Sequence, residues 1–399
     1  MKKEALWTKN FVAVSVANFF LFISYYALLV TLPAAAMNDL QSSSSIAGLF
    51  TTIFLAAAII IRPFVGSWID RFGKRFVLLI SYLLFTLVSL MYGFFHSVII
   101  LLILRFLQGL GFGLATASAG GVAADVIPDS RKGEGLGYFV MSNNLAMVIG
   151  PFLGITFYSK YGLMVLFAVA FVCSLFGYLC GMLIKTPKQE QTRNVSPEKQ
   201  PMFEKGAVPY GIIAGFLGIA YSGILSFMAV FAAERGMETE SSYFFLVFAI
   251  VLLLSRPFTG RWYDRYGADF VVYPCIISFG LGLLTLGLSN GALLFFLSAA
   301  LVGVGWGTLF SSFQTLAIQN SNPKRTSTAT ATYLSVFDVG IGGGSFIAGL
   351  LVNYMDLGTM FILFSIYSMI GIGIFYWIRK DKAKHEHQDA VQHATDKLR

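Results

Sequence analysis

Apolar residues in this chain come in long blocks rather than in alternation. There are twelve of them, at 10–33, 46–68, 76–96, 98–123, 135–158, 162–184, 208–232, 242–262, 269–289, 292–318, 328–354 and 357–378. Each is close to the ~20 residues that a helix rising about 1.5 Å per residue needs to cross a bilayer core about 30 Å thick. Strands of a membrane barrel would be about half as long and would alternate apolar with polar side chains, which these blocks do not do. The pattern therefore predicts an all-α, polytopic membrane protein with twelve transmembrane helices. Most connections are short, so consecutive helices are expected to be antiparallel neighbours. The first block follows Lys2, Lys3 and Lys9 and ends near Pro33-Ala34-Ala35-Ala36, in imitation of a secretory signal with a small-residue cleavage site. It is too long for one and heads a series of spans, so it is expected to remain as the first helix.

The chain also repeats itself. Arg62-Pro63, Gly66, Trp68, Asp70-Arg71 and Gly73 return 194 positions later as Arg256-Pro257, Gly260, Trp262, Asp264-Arg265 and Gly267. The copy departs at its end, with Ala268-Asp269 where the first has Lys74-Arg75. Gly109, Gly111 and Gly113 return as Gly303, Gly305 and Gly307 at the same offset, while Pro128, Tyr138 and Gly154 return as Pro323, Tyr333 and Gly349 at an offset of 195. Two parallel repeats with an even number of spans predict two pseudo-symmetric six-helix bundles about an axis along the membrane normal, with a central site between them. The expected division is an N-terminal bundle over 1–184, a linker over 185–207, a C-terminal bundle over 208–380 and a polar tail over 381–399. The linker carries Thr186-Pro187, Ser196-Pro197, Pro201 and mixed charges, with no apolar periodicity. Such a segment reads as a flexible tether.

Composition agrees with a lipid solvent: 56% of residues are hydrophobic, 12% are charged, and the mean hydropathy is +0.73. A soluble domain of this length needs more polar surface. The net charge of +8 would suggest nucleic acid were it not for its distribution. Lys and Arg cluster in every second loop, at the N-terminus, Arg71/Lys74/Arg75, Arg131/Lys132, the linker, Arg261/Arg265, Lys324/Arg325 and the tail, whereas the intervening loops carry only Lys160 and Arg235. The positive-inside rule then predicts both termini in the cytoplasm of a multi-pass cell-membrane protein. The basic balance marks contact with the lipid bilayer and no nucleic-acid partner. Cys173, Cys180 and Cys275 lie inside apolar blocks at no disulfide or metal spacing and are expected to be packing residues. His385, His387 and His393 fall on the polar tail, where solvation is favoured over a metal role.

At these residues the chain resembles a known family. Gly66-Ser-Trp-Ile-Asp70-Arg71-Phe-Gly73-Lys74-Arg75 resembles the signature between helices 2 and 3 of the twelve-helix transporters of the major facilitator superfamily. Arg105-Phe-Leu-Gln108-Gly109-Leu-Gly111 is similar to that family's helix 4 motif, and Gly150-Pro151-Phe-Leu-Gly154 to the helix 5 motif of its drug and proton antiporters. The resemblance implies a gate at Gly66, Asp70, Arg71 and Gly73, with Asp70 capping the start of helix 11 near Thr326-Ser327-Thr328. The copies Asp264 and Arg265 are assigned to the same gate, Asp125 is expected to pair with Arg71, and Pro151 to serve a moving or a static kink in helix 5. The resemblance also implies a cavity lined by helices 1, 4, 7 and 10. Its candidates are Asn18, Tyr25, Tyr26, Arg105, Gln108, Tyr221, Phe227, Trp306, Phe310 and Gln314. Aromatics with few charges suit amphipathic molecules.

Three arginines and one acid call for separate reading. Arg62 and Arg256 lie eight residues before the aspartates of the repeated motif, about 12 Å along a helix, and snorkelling to the inner surface is one account of them. Arg105, about 10 Å below the outer end of helix 4, must face protein or water and is expected to line the cavity. Asp338 lies about 15 Å from the start of helix 11, near the bilayer midplane. A carboxyl there either takes and releases a proton as access alternates or helps a glycine-rich helix to pack, and coupling is the favoured expectation. Its repeat mate is Asn143, followed by Asn144, and both join the cavity list. Gly109–Gly113 and Gly340–Gly344 follow no strand, so they are read as helix-packing surfaces rather than phosphate loops.

The expected function is secondary transport. Asp338 and Arg105 are assigned to proton coupling, and the chain is expected to export small amphipathic molecules as a monomer, with uptake of a sugar or other metabolite as the alternative. No nucleotide-binding loop is present, so an ion gradient is the expected energy source and no cofactor is expected. No metal cluster, or nucleophile with its base, points to an enzyme.

Overall fold

The computed structural model describes residues 5–128, 131–185, 203–322 and 326–397. Most of the predicted linker, together with Pro323, Lys324 and Arg325, lies outside the described residues, as do the side chains of Asp70, Asn144, Thr326, Ser327 and residues 381–399. Twelve long helices follow in order: α1 (Lys9–Asn38), α2 (Ser44–Phe72), α3 (Lys74–Met91), α4 (Val98–Val126), α5 (Lys132–Tyr161), α6 (Leu163–Met182), α7 (Val208–Glu234), α8 (Glu238–Tyr266), α9 (Ala268–Gly287), α10 (Ala292–Gln319), α11 (Thr326–Leu351) and α12 (Leu357–Lys397). All twelve are long and apolar enough to cross a membrane.

Side-chain caps start the first two. Thr8 Oγ1 accepts from the Phe11 N–H at 3.2 Å, and Ser43 Oγ accepts from the Ile46 N–H at 3.4 Å. Each cap satisfies one of the donors that a helix start leaves over. Asp356 does the same for α12, accepting from Thr359 Oγ1 at 2.7 Å and from the Thr359 N–H at 3.0 Å. Those hydrogen bonds hold the Asp356 carboxyl below the usual carboxylate range.

The repeated motif is helical almost to its end. The apolar block suggested that helix 2 stops at 68, but α2 continues to Phe72, so Gly66, Asp70 and Arg71 ride on its last turns and not in a loop. The copy behaves alike, with Asp264 and Arg265 inside α8. A single residue makes each joint. Gly73 closes α2 and opens α3 at φ 85°, and Gly267 closes α8 and opens α9 at φ 86°. A side chain at such a φ is strained, which explains why the motif ends in glycine both times. Likewise α12 does not stop at the end of its apolar block at 378; its helix carries on through the polar tail to Lys397.

Packing repeats as faithfully as the sequence. Within the first six helices α1 packs on α5 and α6, α2 on α4, and α3 on α4; within the second six α7 packs on α11 and α12, α8 on α10, and α9 on α10. A methyl group at Gly109 of α4 would overlap the Phe54 carbonyl of α2, and one at Gly303 of α10 would stand 2.5 Å from the Phe248 carbonyl of α8. Phe248 is itself the copy of Phe54, 194 positions on. Lipid is as apolar as leucine, so close backbone approach supplies much of what holds such helices together.

The two bundles meet through α2 with α11, α5 with α8, and α1 with α7. Among the described residues, the hydrogen bonds, ion pair and ring contact that join them lie at the end bearing Ser44 and Gly349 and in the middle. At the other end, the one bearing Gly73 and Gly267, a methyl at Gly66 on α2, Gly120 on α4, Gly137 on α5 or Gly260 on α8 would meet nothing within 4 Å. Gly66, assigned to the gate, thus stands clear of any neighbouring helix. Among the described residues, the bundles are closed together at one end and parted at the other.

Candidate functional site

The seam between α2 and α11 carries the polar chemistry that joins the bundles. At its closed end Ser44 Oγ lies 2.8 Å from the Gly349 carbonyl and 2.7 Å from Asn353 Oδ1, and Asn353 Nδ2 donates to Ser45 Oγ at 2.7 Å. Deeper, Ser345 Oγ donates to the Gly48 carbonyl at 3.2 Å, and Ser226 Oγ of α7 lies 2.6 Å from Ser345 Oγ. Thr52 Oγ1 donates to the Gly342 carbonyl at 2.5 Å. Small residues on both helices allow the approach: a methyl at Gly48 would overlap the Ser345 carbonyl oxygen, and one at Gly349 the Ser44 carbonyl oxygen.

The seam ends on an ion pair. Arg62 Nη2 of α2 lies 2.7 Å from Asp338 Oδ2 of α11, and the two side chains are only 16% and 13% exposed. This corrects the snorkelling account of Arg62. A lone charge at the centre of a membrane helix costs about 2.5–3.5 kcal/mol on insertion scales, so two opposite charges at one depth are better placed together than apart. The second guanidinium nitrogen, Nη1, is buried without a hydrogen-bond partner, so one donor of the fork is left over.

Arg105 and Gln108 were expected to line the cavity, and the structure places them elsewhere. Both are fully buried inside the N-terminal bundle. Arg105 Nε donates to the Phe50 carbonyl at 3.3 Å, Nη1 donates to Gln108 Oε1 at 2.8 Å, and the guanidinium lies 4.4 Å from the centre of the Phe54 ring. Gln108 Nε2 passes on to Ser89 Oγ of α3 at 2.9 Å, and the Tyr92 hydroxyl donates to Gln108 Oε1 at 3.1 Å. The network ties α2, α3 and α4 together. The face of α4 that these two side chains occupy is turned into the bundle. Phe227 of α7 is likewise fully buried, against the expectation of a lining residue.

The remaining candidates form two aromatic groups and one amide group. Tyr25 of α1 stacks on Phe112 of α4 at 4.5 Å and on Phe54 of α2 at 5.0 Å, with Tyr26 at 4.8 Å. Tyr221 of α7 stacks on Trp306 of α10 at 4.3 Å, and Phe310 meets Phe337 of α11 at 5.1 Å, next to Asp338 in the chain. Gln314 is half-buried on the same α10. Asn18 of α1 donates from Nδ2 to Asn143 Oδ1 of α5. Phe54, Phe112, Phe337 and Tyr333 were missed, because nothing in a chain with 39 phenylalanines and 18 tyrosines marks these four rings.

The charges at the open end pair differently from the expectation. Asp125 is taken by Lys74 Nζ at 2.6 Å and not by Arg71, which lies against the Phe72 ring at 5.2 Å. Lys74 opens α3, which packs on α4, whereas Arg71 closes α2 on an exposed face. The departure in the C-terminal copy has its own partner: Asp269 of α9 lies 2.8 Å from Arg379 Nε of α12. Beside it Asp264 lines a recess with Tyr263, Gln319, Asn320 and Arg379, while Arg265 is exposed against Tyr266. Pro151 is buried in an unbroken α5, where a methyl at the adjacent Gly150 would stand 2.6 Å from Tyr26 Cβ of α1.

Known proteins share this architecture. The nucleoside transporter NupG superposes with a TM-score of 0.73 at 14% identity, covering 92% of this chain and 99% of that one. A bacterial homolog of the human lysosomal transporter Spinster, in an inward-facing and unoccupied conformation, gives 0.73 at 14% identity over 92% and 95% of the two chains. At such identities the likeness shows the fold alone. In sequence, an uncharacterized MFS-type transporter of Methanocaldococcus jannaschii, MJ1560, is 25% identical over 350 residues, 84% of this chain and 89% of that one. Multidrug resistance protein 1 of Bacillus subtilis is 26% identical over 216 residues, 53% of this chain and 55% of that protein. The quinolone resistance protein NorA of Staphylococcus aureus is 28% identical over 137 residues, 34% and 35% of the two chains. The family model of the major facilitator superfamily matches residues 14–345 and again 238–398, the second match restarting within the C-terminal repeat. With twelve membrane helices, a bundle that occurs twice and a polar seam between its copies, the chain belongs to the major facilitator superfamily of transporters.

Proposed function

We propose that this transporter exports small amphipathic molecules across the cell membrane in exchange for protons, by alternating access of its two bundles. The observation that carries the reading is the Arg62–Asp338 pair, which among the described residues is where a carboxyl inside a membrane helix joins one bundle to the other. Protonating Asp338 removes half of that link, so a proton can favour parting of the bundles on this seam, and its release can favour closing. Binding energy that differs between two states is what shifts a two-state equilibrium. Efflux as the direction is supported by the names of the partly aligned multidrug and quinolone resistance relatives.

The sidedness follows from charge. The parted end carries Arg71, Lys74, Arg75, Arg261 and Arg265, so the positive-inside rule places it in the cytoplasm together with both termini. The structure is then an inward-open state, closed at the extracellular end by the α2–α11 seam. Asp70, Gly66 and their copies would come into play when the parted end closes.

Inside-out vesicles with a broad panel of amphipathic compounds, with and without an imposed proton gradient, test direction and coupling together. Gradient-driven accumulation inside the vesicles is expected for at least one compound. Accumulation indifferent to the gradient, or driven the opposite way, would count for facilitated diffusion or uptake by symport. Asp70→Asn should slow turnover roughly two- to fivefold, the worth of a 0.3–1 kcal/mol charge–helix interaction, with substrate affinity unchanged. Turnover equal to the unmodified protein in a stopped-flow assay would remove Asp70 from the gate.

A further inference from the structure

The membrane interior of this protein carries more positive than negative charge, and the repeat shows where the surplus lies. Among the described residues in the middle of the spans stand three guanidiniums, Arg62, Arg105 and Arg256, and one carboxylate, Asp338. Arg62 and Asp338 neutralise each other. Arg105 is sealed within its bundle by the Phe50 carbonyl, Gln108 and the Phe54 ring, out of reach of a ligand. Arg256 is what remains.

Arg256 is the copy of Arg62, half-buried at the same register of α8, and among the described residues no hydrogen bond, ion pair or ring contact engages its guanidinium, the one side-chain hydrogen bond to this residue being that from Thr259 Oγ1 to its backbone carbonyl. The repeat also shows what is missing. The position equivalent to Asp338 is Asn143, a neutral amide already engaged to Asn18 on α1. A guanidinium keeps its charge at any physiological pH, so at this depth it must be met by water or by an anion from elsewhere. On α8, one turn nearer the Gly267 joint, a methyl at Gly260 would meet nothing within 4 Å, and the same holds for Gly137 on α5, the helix of the other bundle that packs on α8. The helix packed on α8 within the bundle, α10, carries the half-buried Phe310 and Gln314, with Trp306 buried in its stack on Tyr221.

We propose that Arg256 anchors an oxyanion of the transported molecule, a carboxylate in the simplest case, whose apolar body lies toward the α10 aromatics. The substrate class is then amphipathic anions. The ligand supplies in the C-terminal half the negative charge that Asp338 supplies across the first seam, and the planar fork of the guanidinium suits two carboxylate oxygens at once. This inference rests on the transport reading above and narrows it to one charge class.

The test is binding to the full-length protein in lipid nanodiscs, by titration calorimetry, of 2-naphthoate, its neutral amide and the matching naphthylmethylammonium cation. Naphthoate is expected to bind saturably and at least about tenfold tighter than the other two, the worth of a charge-assisted hydrogen bond. Arg256→Gln should erase that preference without changing the amide, and Arg256→Lys should restore only part of it. A snorkelling cation would be served equally well by lysine and would leave naphthoate binding unchanged in Arg256→Gln. Equal naphthoate binding by the unmodified protein and Arg256→Gln, no saturable naphthoate binding, or tighter binding of the cation would each overturn the proposal. The vesicle experiment fails or succeeds separately: proton-driven export of cations alone would sink this inference and leave the transport reading intact, whereas Arg256-dependent naphthoate binding without gradient-driven movement would do the reverse.

Discussion

Asp338→Asn is expected to reduce proton-gradient-driven transport about 5- to 150-fold, the span of an ordinary 1–3 kcal/mol coupling free energy, while downhill movement of the same compound persists. The substitution keeps the size of the side chain and an oxygen that accepts from Arg62, so the 2.7 Å contact with α2 has a substitute and the bundles still meet. What is lost is the group that can change its charge. Removing a partner of a buried pair outright would cost about 3–5 kcal/mol and confuse coupling with folding, which is why the amide is the informative replacement. The measurement is the initial rate in inside-out vesicles with and without an imposed gradient. Full gradient-driven transport by Asp338→Asn would show that the carboxyl is structural, serving only to hold α2 to α11.

Gly48→Leu is expected to abolish turnover by preventing closure of the α2–α11 seam. A side chain at this position runs into the Ser345 backbone, and backbone in the middle of a packed helix has nowhere to go. Overpacking costs about 1–3 kcal/mol, and states of a transporter that interconvert in use differ by no more than a few kcal/mol, so the clash is large enough to choose the state. The variant should rest with the α2–α11 seam parted. A single cysteine at Thr51→Cys, in a chain whose Cys173, Cys180 and Cys275 have been replaced, reports this directly, because Thr51 is fully buried at the seam. An impermeant thiol reagent added from the extracellular side should label it at least several-fold faster when Gly48→Leu is present. Equal labelling with turnover preserved would mean that the seam tolerates the side chain and is not a gate.

The architecture could be read from the sequence because its determinants are local. Block length sets a membrane span, and a glycine at positive φ sets the joint at Gly73 and again at Gly267. The repeat predicted contacts as well as letters, for Phe54 and Phe248 receive Gly109 and Gly303 in the same way. The motif's helical state was less visible. Its polar residues look like a loop in hydropathy, yet hydrogen bonding within α2 does not depend on hydropathy and carries the helix to Phe72.

The site was legible in depth but not in direction. Sequence placed Asp338 and Arg105 along their helices, but Arg105 turns inward to Gln108 while Arg62 turns to Asp338. A soluble helix shows its buried face through the spacing of apolar residues, each residue turning about 100° about the axis. A helix in lipid is apolar on all sides, so that spacing fades and the sequence no longer says which face meets a neighbour. Asp125 shows the same limit in small: Arg71 and Lys74 stand within one turn's length in sequence, and only the Gly73 joint, which puts Lys74 on the helix beside α4, decides between them. The sequence by itself thus determined twelve membrane helices, their two-fold repeat and the basic end. The tertiary structure alone decided that Arg62 meets Asp338, that Arg105 is buried against Gln108 and that, among the described residues, no carboxylate pairs with Arg256, because helix rotation and the packing of distant segments settle which charges share a face.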